Sequence, residues 1–435
     1  VVYKRQVVIP AEIADLAVTT LGSRLFRDTP VKRVTIPATV TKLYTGRSIN
    51  RFASPFLGAK ELEAIVVEPG NPTFASIEGV LFDATRTTLI LCPEGRSGTY
   101  AVPEGTLWIG QHGNFVPFLF CDRLTRVTFP ETVLSTGRSA FLHCTGLANV
   151  SLPQSLTTLG DGSFKGCTAL ERVTIPSGVN WTGNSVFMDC SALREVIFED
   201  GVRSVGDSMF IGCSSLTTVG LPESITSIGK TAFAGCTSLT GIQPPTSVTS
   251  IGERAFLGCE SLVSITLPPN LRGISRELFK DCVSLSTIEL PEGISAIGDG
   301  AFRGLINLTG ISLPESVTRI GFHAFSGCVQ LREVAIPSGV TRIEGGTFWG
   351  CTSLERITFV EGLTTLGGQV FQGCVNLDTV ILPASLSEIS RDTFDTGTFH
   401  VRIRFAPGNP SYAVDDHGVL FNGDRTELIR CPKQF

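Results

Sequence analysis

Leu216-Thr-Thr-Val-Gly-Leu-Pro-Glu-Ser-Ile-Thr-Ser-Ile-Gly-Lys-Thr-Ala-Phe-Ala-Gly-Cys236 is one copy of a motif that organises most of the chain. Its Phe233 belongs to a series at 118, 141, 164, 187, 210, 233, 256, 279, 302, 325, 348, 371 and 394, with a constant step of 23 residues. Six residues after each Phe from 118 to 371 stands a Leu, until His400 breaks that second series. The shared unit reads L-x-x-V-x-I-P-x-x-V-x-x-I-G-x-x-x-F-x-G-C-x-x. Val173 and Ile175 alternate with polar neighbours, the period-2 sign of a strand with one buried face. Pro176 ends that strand because it has no N–H for the ladder. A second apolar pair follows, such as Ile225 and Ile228, and Gly229 permits a turn that a Cβ would hinder. Phe233 then fills the interior at the back of the coil. A coil of 23 residues cannot bury its own apolar face, so the copies must stack on one another. The pattern predicts a solenoid, a right-handed superhelix of leucine-rich-repeat type with one short parallel β-strand per coil, mostly β and loop.

Four segments are expected along one continuous solenoid. Residues 1–64 hold irregular copies, with Phe26 and Phe56 in the same slot and Ile36-Pro37 and Leu62-Glu-Ala-Ile65 in strand position. Residues 65–100 form an inserted β-hairpin module, 101–402 the regular array, and 403–435 a C-terminal β-hairpin cap. The two hairpins share a pattern: Pro69-Gly-Asn-Pro72, Gly79-Val-Leu-Phe82 and Leu89-Ile-Leu-Cys92-Pro93 in one, Pro407-Gly-Asn-Pro410, Gly418-Val-Leu-Phe421 and Leu428-Ile-Arg-Cys431-Pro432 in the other. Two short apolar runs split by Asp83-Ala-Thr-Arg86 or Asn422-Gly-Asp-Arg425 read as hairpins. From Pro103 to Pro130 the spacing is 27, which places about four extra residues around Gly113 to Pro117. The count is about fifteen Phe-anchored coils.

Composition narrows function. The 435 residues carry a net charge of −5, with 42% hydrophobic and 17% charged residues. No basic footprint points to nucleic acid. No apolar run approaches the roughly 18 residues that span a bilayer, so no transmembrane segment is expected. The start, Val1-Val2-Tyr3-Lys4-Arg5, is neither a signal peptide nor an initiator Met, so the chain reads as mature or cut from something longer. The 28 Phe against 3 Trp and 4 Tyr fit one structural slot filled repeatedly.

The unit from Leu216 to Cys236, together with the Asn-Pro and Gly-Val-Leu-Phe hairpins, resembles the BspA-like leucine-rich repeat family over nearly the whole chain. Members are mostly surface or secreted proteins of bacteria and some protists, implicated in adhesion and in contact with host or matrix proteins. The resemblance therefore implies a non-catalytic interaction or adhesion module, at the cell surface or secreted, that binds a protein or glycan. It supplies no catalytic residues. The alternative is a scaffold subunit of a larger assembly, cytoplasmic or otherwise intracellular, where free thiols are at home.

The residues themselves offer little chemistry. Of 13 cysteines, 11 stand three residues after the repeat Phe, and Cys92 and Cys431 occupy matching places in the hairpins. Zinc needs ligands converging on one point, whereas a 23-residue period makes a row. Stacked equivalents have parallel Cβ vectors, and a disulfide needs converging ones. Leu305 takes the Cys place after Phe302, so the slot reads as apolar packing and the row as buried free thiols. The histidines at 112, 143, 323, 400 and 417 share no phase, and no spacing supports a catalytic triad. No P-loop or dinucleotide fingerprint occurs, and acids do not recur at one phase as calcium repeats require. No enzyme, cofactor or metal is expected. The sequons at Asn149, Asn180 and Asn307 matter only on a eukaryotic secretory route.

A partner would meet the outward strand positions. One row runs Arg126, Arg172, Glu195, Thr218, Ser264, Thr287, Glu333, Arg356, Thr379 and Arg402; a second includes Thr128, Ser151, Ile197, Ile381 and Arg404. A mixed polar face is the ordinary state of a solvated sheet. The C-terminal end is richer in arginine, with Arg332, Arg356, Arg402 and Arg404, which hints at an acidic partner. The residue after each repeat Phe forms another stripe, apolar at Leu119, Leu142, Met188, Ile211, Leu257 and Trp349. Either it covers the back of the coil or it is an exposed contact stripe for a partner or for self-association. On the second reading, Lys at Leu142, Met188 and Ile211 abolishes association and spares folding. Trp181 and Thr182 stand where other coils place a polar residue and then Ile or Leu. A one-residue slip that buries the Trp is expected; the alternative leaves it exposed.

Overall fold

The computed structural model describes residues 5–44, 54–110, 115–390, 392–394, 401–416 and 418–430. His112, Gly113, Asp395, His400, His417 and Cys431 lie outside the described residues. The chain divides into two compact units, Val1–Ser224 and Ile225–Phe435. Each is a β-solenoid, right-handed as in leucine-rich-repeat proteins, and the coils number about 17. The described residues contain no helix.

In the first unit the front strands stack in parallel. Arg172–Ile175, Glu195–Phe198 and Thr218–Gly220 form one such sheet, in register Val173↔Val196↔Val219. Strand Arg172–Ile175 stops at Pro176, as its missing N–H requires. The second apolar pair of the motif makes a strand of its own, two residues long. Trp108–Ile109, Ser135–Thr136, Thr158–Leu159 and Trp181–Thr182 run in parallel along the side of the unit. In the second unit the side strands continue from Gly273–Ile274 to Glu388–Ile389, but the front segments at 286–291 and 309–313 form no strand.

The back of each coil is held by two devices. Residues two before and two after the Phe adopt left-handed backbone, as Ser185 (φ 57°) and Asp189 (φ 62°) do around Phe187. This alternation aims every second N–H at the next coil: Ser185 donates to the carbonyl of Asp207 at 2.8 Å, Phe187 to Met209 at 2.9 Å, and Asp189 to Ile211 at 2.7 Å. The rings stack face to face inside this ladder. Phe141 and Phe164 lie 4.9 Å apart with planes 1° from parallel, and Phe256 and Phe279 lie 5.7 Å apart at 4°. Phe26 and Phe56 repeat the contact at 5.5 Å, so the irregular N-terminal copies use the same slot.

The cysteines complete this back wall. The twelve described ones are buried and free. In most coils the repeat Phe carbonyl sits between ladder positions and takes two donors from cysteines, one from its own coil and one from the next. In one coil the Phe164 carbonyl accepts the Cys167 N–H at 3.2 Å and, from the next coil, the Cys190 Sγ at 3.2 Å. The Phe256 carbonyl likewise accepts the Cys282 Sγ at 3.0 Å. Buried Leu305 fills the slot without a donor. Burial pushes the thiols of Cys259, Cys328 and Cys374 up to about 12.

Both hairpin modules dock through one asparagine. Asn71 donates to the carbonyls of Pro37 (3.1 Å) and Val40 (2.8 Å) while its Oδ1 accepts from Thr73 and Phe74, both at 2.9 Å. Asn409 does the same to Pro383 (3.2 Å), Leu386 (2.9 Å), Ser411 and Tyr412 (both 2.8 Å). In the first module Phe74–Ile77, Val80–Asp83 and Thr88–Leu91 are antiparallel. The third of these then pairs in parallel with Trp108–Ile109, so the insertion seeds the side sheet that follows it.

The anomaly at Trp181 resolves against the slip. Thr182 keeps register with Leu159 and is buried in the Ile/Leu slot, its hydroxyl donating to the Ser204 carbonyl at 3.4 Å. Trp181 stays outside, 51% exposed. The Gly183 N–H, bonded to the Leu159 carbonyl at 2.7 Å, anchors the register from behind, and a hydroxyl with a partner lowers the cost of placing Thr in an apolar slot.

Candidate binding surface

The front strands carry side chains alternately inward and outward, and the outward ones meet solvent. Arg126, Arg172, Thr218, Ser264, Glu333, Arg356 and Arg402 are exposed, as are Ser151, Thr174, Thr266, Thr358 and Arg404 in the second row. Cross-strand charges pair directly opposite one another, where side chains are closest. Arg172 faces Glu195 at 3.5 Å in the first unit, and Arg356 faces Glu333 at 3.9 Å in the second. Arg402 reaches both carboxylate oxygens of Asp378, at 2.9 and 2.8 Å, and holds that carboxyl below the usual range. Such exposed pairs contribute about 0–1 kcal/mol each. Arg332 and Arg404 are exposed and have no ion pair among the described residues. Beside Arg404, in register with it, stands Ile381, 59% exposed.

The stripe after the repeat Phe divides. Leu119 and Leu142 are buried, and Met188, Ile211 and Leu257 are half-buried across the back of the coils. Trp349 is 42% exposed. Lys at Leu142 therefore perturbs packing as well as any docking, whereas Met188 and Ile211 remain partly accessible.

Two aromatic groups were not singled out by sequence. His323 packs edge to face against Trp349 at 6.5 Å, with exposed Phe322 beside it. In the first unit, exposed Phe120 stacks on His143 at 5.7 Å. Phe120 also lines a cleft with Arg24, Arg27, Lys60, Asp122 and Glu94. Burial pushes the Glu94 carboxyl above its ordinary value, against the pull of its bond from the Gly58 N–H at 2.7 Å. A signal for these aromatics was present: Phe120 and His143 occupy the left-handed position two after the Phe, which other coils give to Gly or Asp. Asn149, Asn180 and Asn307 of the sequons are all exposed. No cluster of three metal-ligating side chains occurs among the described residues.

Residues 116–240, 226–343 and 272–401 match the BspA type leucine rich repeat region, in six copies. The chain belongs to the BspA-type leucine-rich repeat family. Among solved structures, this BspA-type chain is similar to a leucine-rich repeat protein from Bacteroides ovatus, at 24% identity and a TM-score of 0.60, covering 92% of each chain. It is also similar to a leucine rich cell surface protein from Faecalibacterium prausnitzii, at 27% identity and a TM-score of 0.53, covering 77% of this chain and 95% of that one. No curated protein matches it. The family and these structures are those of repeat proteins, a class of interaction modules, and no helix among the described residues is long and apolar enough to cross a membrane.

Proposed function

We propose that this chain is a non-catalytic interaction or adhesion module, secreted or at the cell surface, that binds a protein or glycan partner along its front strand face. The observation that carries the reading is the division of labour within each coil. Phe, Cys, Leu and the inward Val and Ile are consumed by the core, while the outward rows are exposed and differ from coil to coil. The likeness to the Faecalibacterium prausnitzii leucine rich cell surface protein supports a surface location. Within the face, the strongest candidates are Arg332 and Arg404, which hold no ion pair among the described residues, with Arg356, Arg402 and Trp349 as further candidates. Met188 and Ile211 offer a secondary apolar contact in the first unit, and Leu257 a separate one in the second.

The test is binding of the purified chain to arrays of host matrix proteins and of glycans, repeated with Arg332, Arg356 and Arg404 changed to Glu. Expected is capture of an acidic partner that weakens with salt and falls at least tenfold in the triple variant. Equal binding by both proteins to every captured partner would remove the arginine surface. A second reading, an intracellular scaffold subunit, draws on the free buried cysteines, which suit a reducing compartment. Recovery of the chain from the cytosol of its native cells would favour it.

A further inference from the structure

The first hairpin module leaves a gap in the back wall of the first unit. Its last strand stands in side-strand place, with Leu89 paired to Ile109, and the chain returns to the front at Gly98, opposite Leu124. Gly98 comes nine residues after Leu89, whereas in a regular coil Leu170 comes eleven after Leu159. The shortened path runs through Cys92-Pro93-Glu94-Gly95 and carries no Phe. Tyr100 enters from the front strand instead, its ring 5.9 Å from Phe118. The back ladder breaks there. Elsewhere the residue two after the Phe donates to the next coil, as Gly166 does to the Met188 carbonyl at 2.8 Å. The equivalent N–H below the gap, that of Gly58, meets the Glu94 carboxylate at 2.7 Å. The equivalent carbonyl above it, that of Leu119, accepts no N–H among the described residues.

A cleft of about 530 Å³ occupies the gap, in the size range of small-ligand sites. Phe120 forms one wall. Its ring lies on His143, 5.7 Å away with planes 8° apart, and is still 43% exposed. Phe120 holds φ 56°, an outlier for a bulky side chain, where every coil from Phe164 to Phe371 places Gly or Asp. The fold does not need a ring at that position, and strain of this kind clusters at binding sites. Leu57 is the only other apolar side chain lining the cleft among the described residues. Arg27 is paired with Asp28 at 3.2 Å and Arg123 with Glu61 at 3.1 Å. Arg24 and Lys60 also line the cleft; both are exposed and hold no ion pair among the described residues. Asp28 and Asp122 add exposed carboxylates.

We propose that this cleft binds an acidic saccharide, an oligosaccharide of hexuronate residues. The apolar face of one sugar ring lies on Phe120, its C–H groups against the negative face of the aromatic ring. Its carboxylate is taken by Arg24 and Lys60 through charge-assisted hydrogen bonds, and its hydroxyls donate to Asp28 and Asp122. An acidic peptide would satisfy the two cations but leave the aromatic face uncovered and bring no hydroxyls to the carboxylates. The site lies at the back of the first unit and uses none of the front-face arginines, so it stands or falls apart from them.

The test is isothermal titration of the full chain with tetragalacturonate, with its methyl ester and with tetraglutamate. Phe120→Gly installs the residue of the regular coils and should keep the fold. Lys60→Glu reverses an exposed charge, and Arg24→Glu serves in its place if that variant loses its circular dichroism spectrum. Wild type is expected to bind tetragalacturonate. Affinity should fall at least about tenfold in each variant and for the methyl ester, as loss of a hydrogen bond to a charged group implies, and should be unchanged when Arg332 and Arg404 are both changed to Glu. No binding by wild type, a smaller loss in either folded variant or for the ester, a loss in the front-face variant, or tighter binding of tetraglutamate would each overturn the proposal.

Discussion

Phe256→Ala is expected to destabilise the second unit by about 3–5 kcal/mol, the usual cost of truncating a buried Phe. The ring is fully buried and lies 5.6 Å from Phe233 and 5.7 Å from Phe279, with planes 2° and 4° from parallel. Each ring pair contributes about 0.5–1.5 kcal/mol beyond its area, so the two contacts account for a sizeable share of the loss. The backbone should not move. The Phe256 N–H is bonded to the Leu278 carbonyl at 3.1 Å, and its own carbonyl accepts from Cys259 N–H at 3.1 Å and Cys282 Sγ at 3.0 Å; none of these needs the ring. In a solenoid each coil depends on its two neighbours, so one deletion weakens two interfaces. The assay is urea unfolding followed by circular dichroism and by tryptophan fluorescence, with coincident curves checking for one transition. Exposed Thr266→Ala in the same unit is the control and should stay within about 0.5 kcal/mol. A loss below about 1 kcal/mol for Phe256→Ala, at unchanged urea dependence, would refute the claim that the ring column carries the solenoid.

Thiol reactivity offers a second check. With burial raising Cys259, Cys328 and Cys374 to about 12, an aromatic disulfide reagent at pH 8 should leave the cysteine row unreacted in the folded chain, and all 13 cysteines should react in denaturant; fast native labelling of many thiols would contradict the burial. Gly346→Ala should destabilise by about 2 kcal/mol, since Gly346 has φ +65° and an added Cβ would lie 2.2 Å from the His323 ring. Adding His323→Ala should recover the steric part and leave the roughly 1–2 kcal/mol of backbone strain, a separation that a double-mutant cycle in urea measures. At Glu277, burial pushes the carboxyl up, but the hydrogen bond and charge of Arg254, with Lys280 and Arg276, outweigh it and hold the group below its ordinary 4.5. A depressed folded value stabilises above the unfolded one and is lost as pH falls through the folded value. The stability gap between wild type and Glu277→Gln should therefore be present at pH 7 and shrink below about pH 4; a gap independent of pH would show that the carboxylate charge is irrelevant.

Most of the fold was legible because its determinants are local and repeated. The Phe column, the inward Val and Ile and the strand-ending Pro each follow from residue type and period, and the Leu305 exception already marked the Cys slot as interior. What escaped was geometry that no single coil contains. The thiol's bond to a carbonyl 26 residues earlier depends on stacking register, and so does the asparagine that docks each hairpin. Trp181 escaped for another reason. Apolar size argued for burial, yet the strand ladder holds Thr182 inward, and one hydroxyl bond makes that arrangement tolerable. The contact stripe after the Phe was ambiguous because a position half-covered by its neighbours accepts Leu, Lys, Ala and Trp alike, as at Leu257, Lys280, Ala234 and Trp349. Exposure there is set by the next coil's side chain rather than by its own.

The same reasoning bears on where recognition can reside. A coil must supply a ring, a small polarizable back residue, two inward pairs and left-handed turns, and these requirements occupy most of its 23 positions. The outward strand positions answer to none of them. Where they meet across coils, as at Arg172 with Glu195 or Arg356 with Glu333, the charges are exposed and contribute little to stability. Substituting them is thus nearly free for folding, and the same holds for Arg332 and Arg404, which hold no ionic partner among the described residues. A binding defect in variants at these arginines, with an unchanged unfolding midpoint, can therefore be read as loss of contact and not as loss of fold.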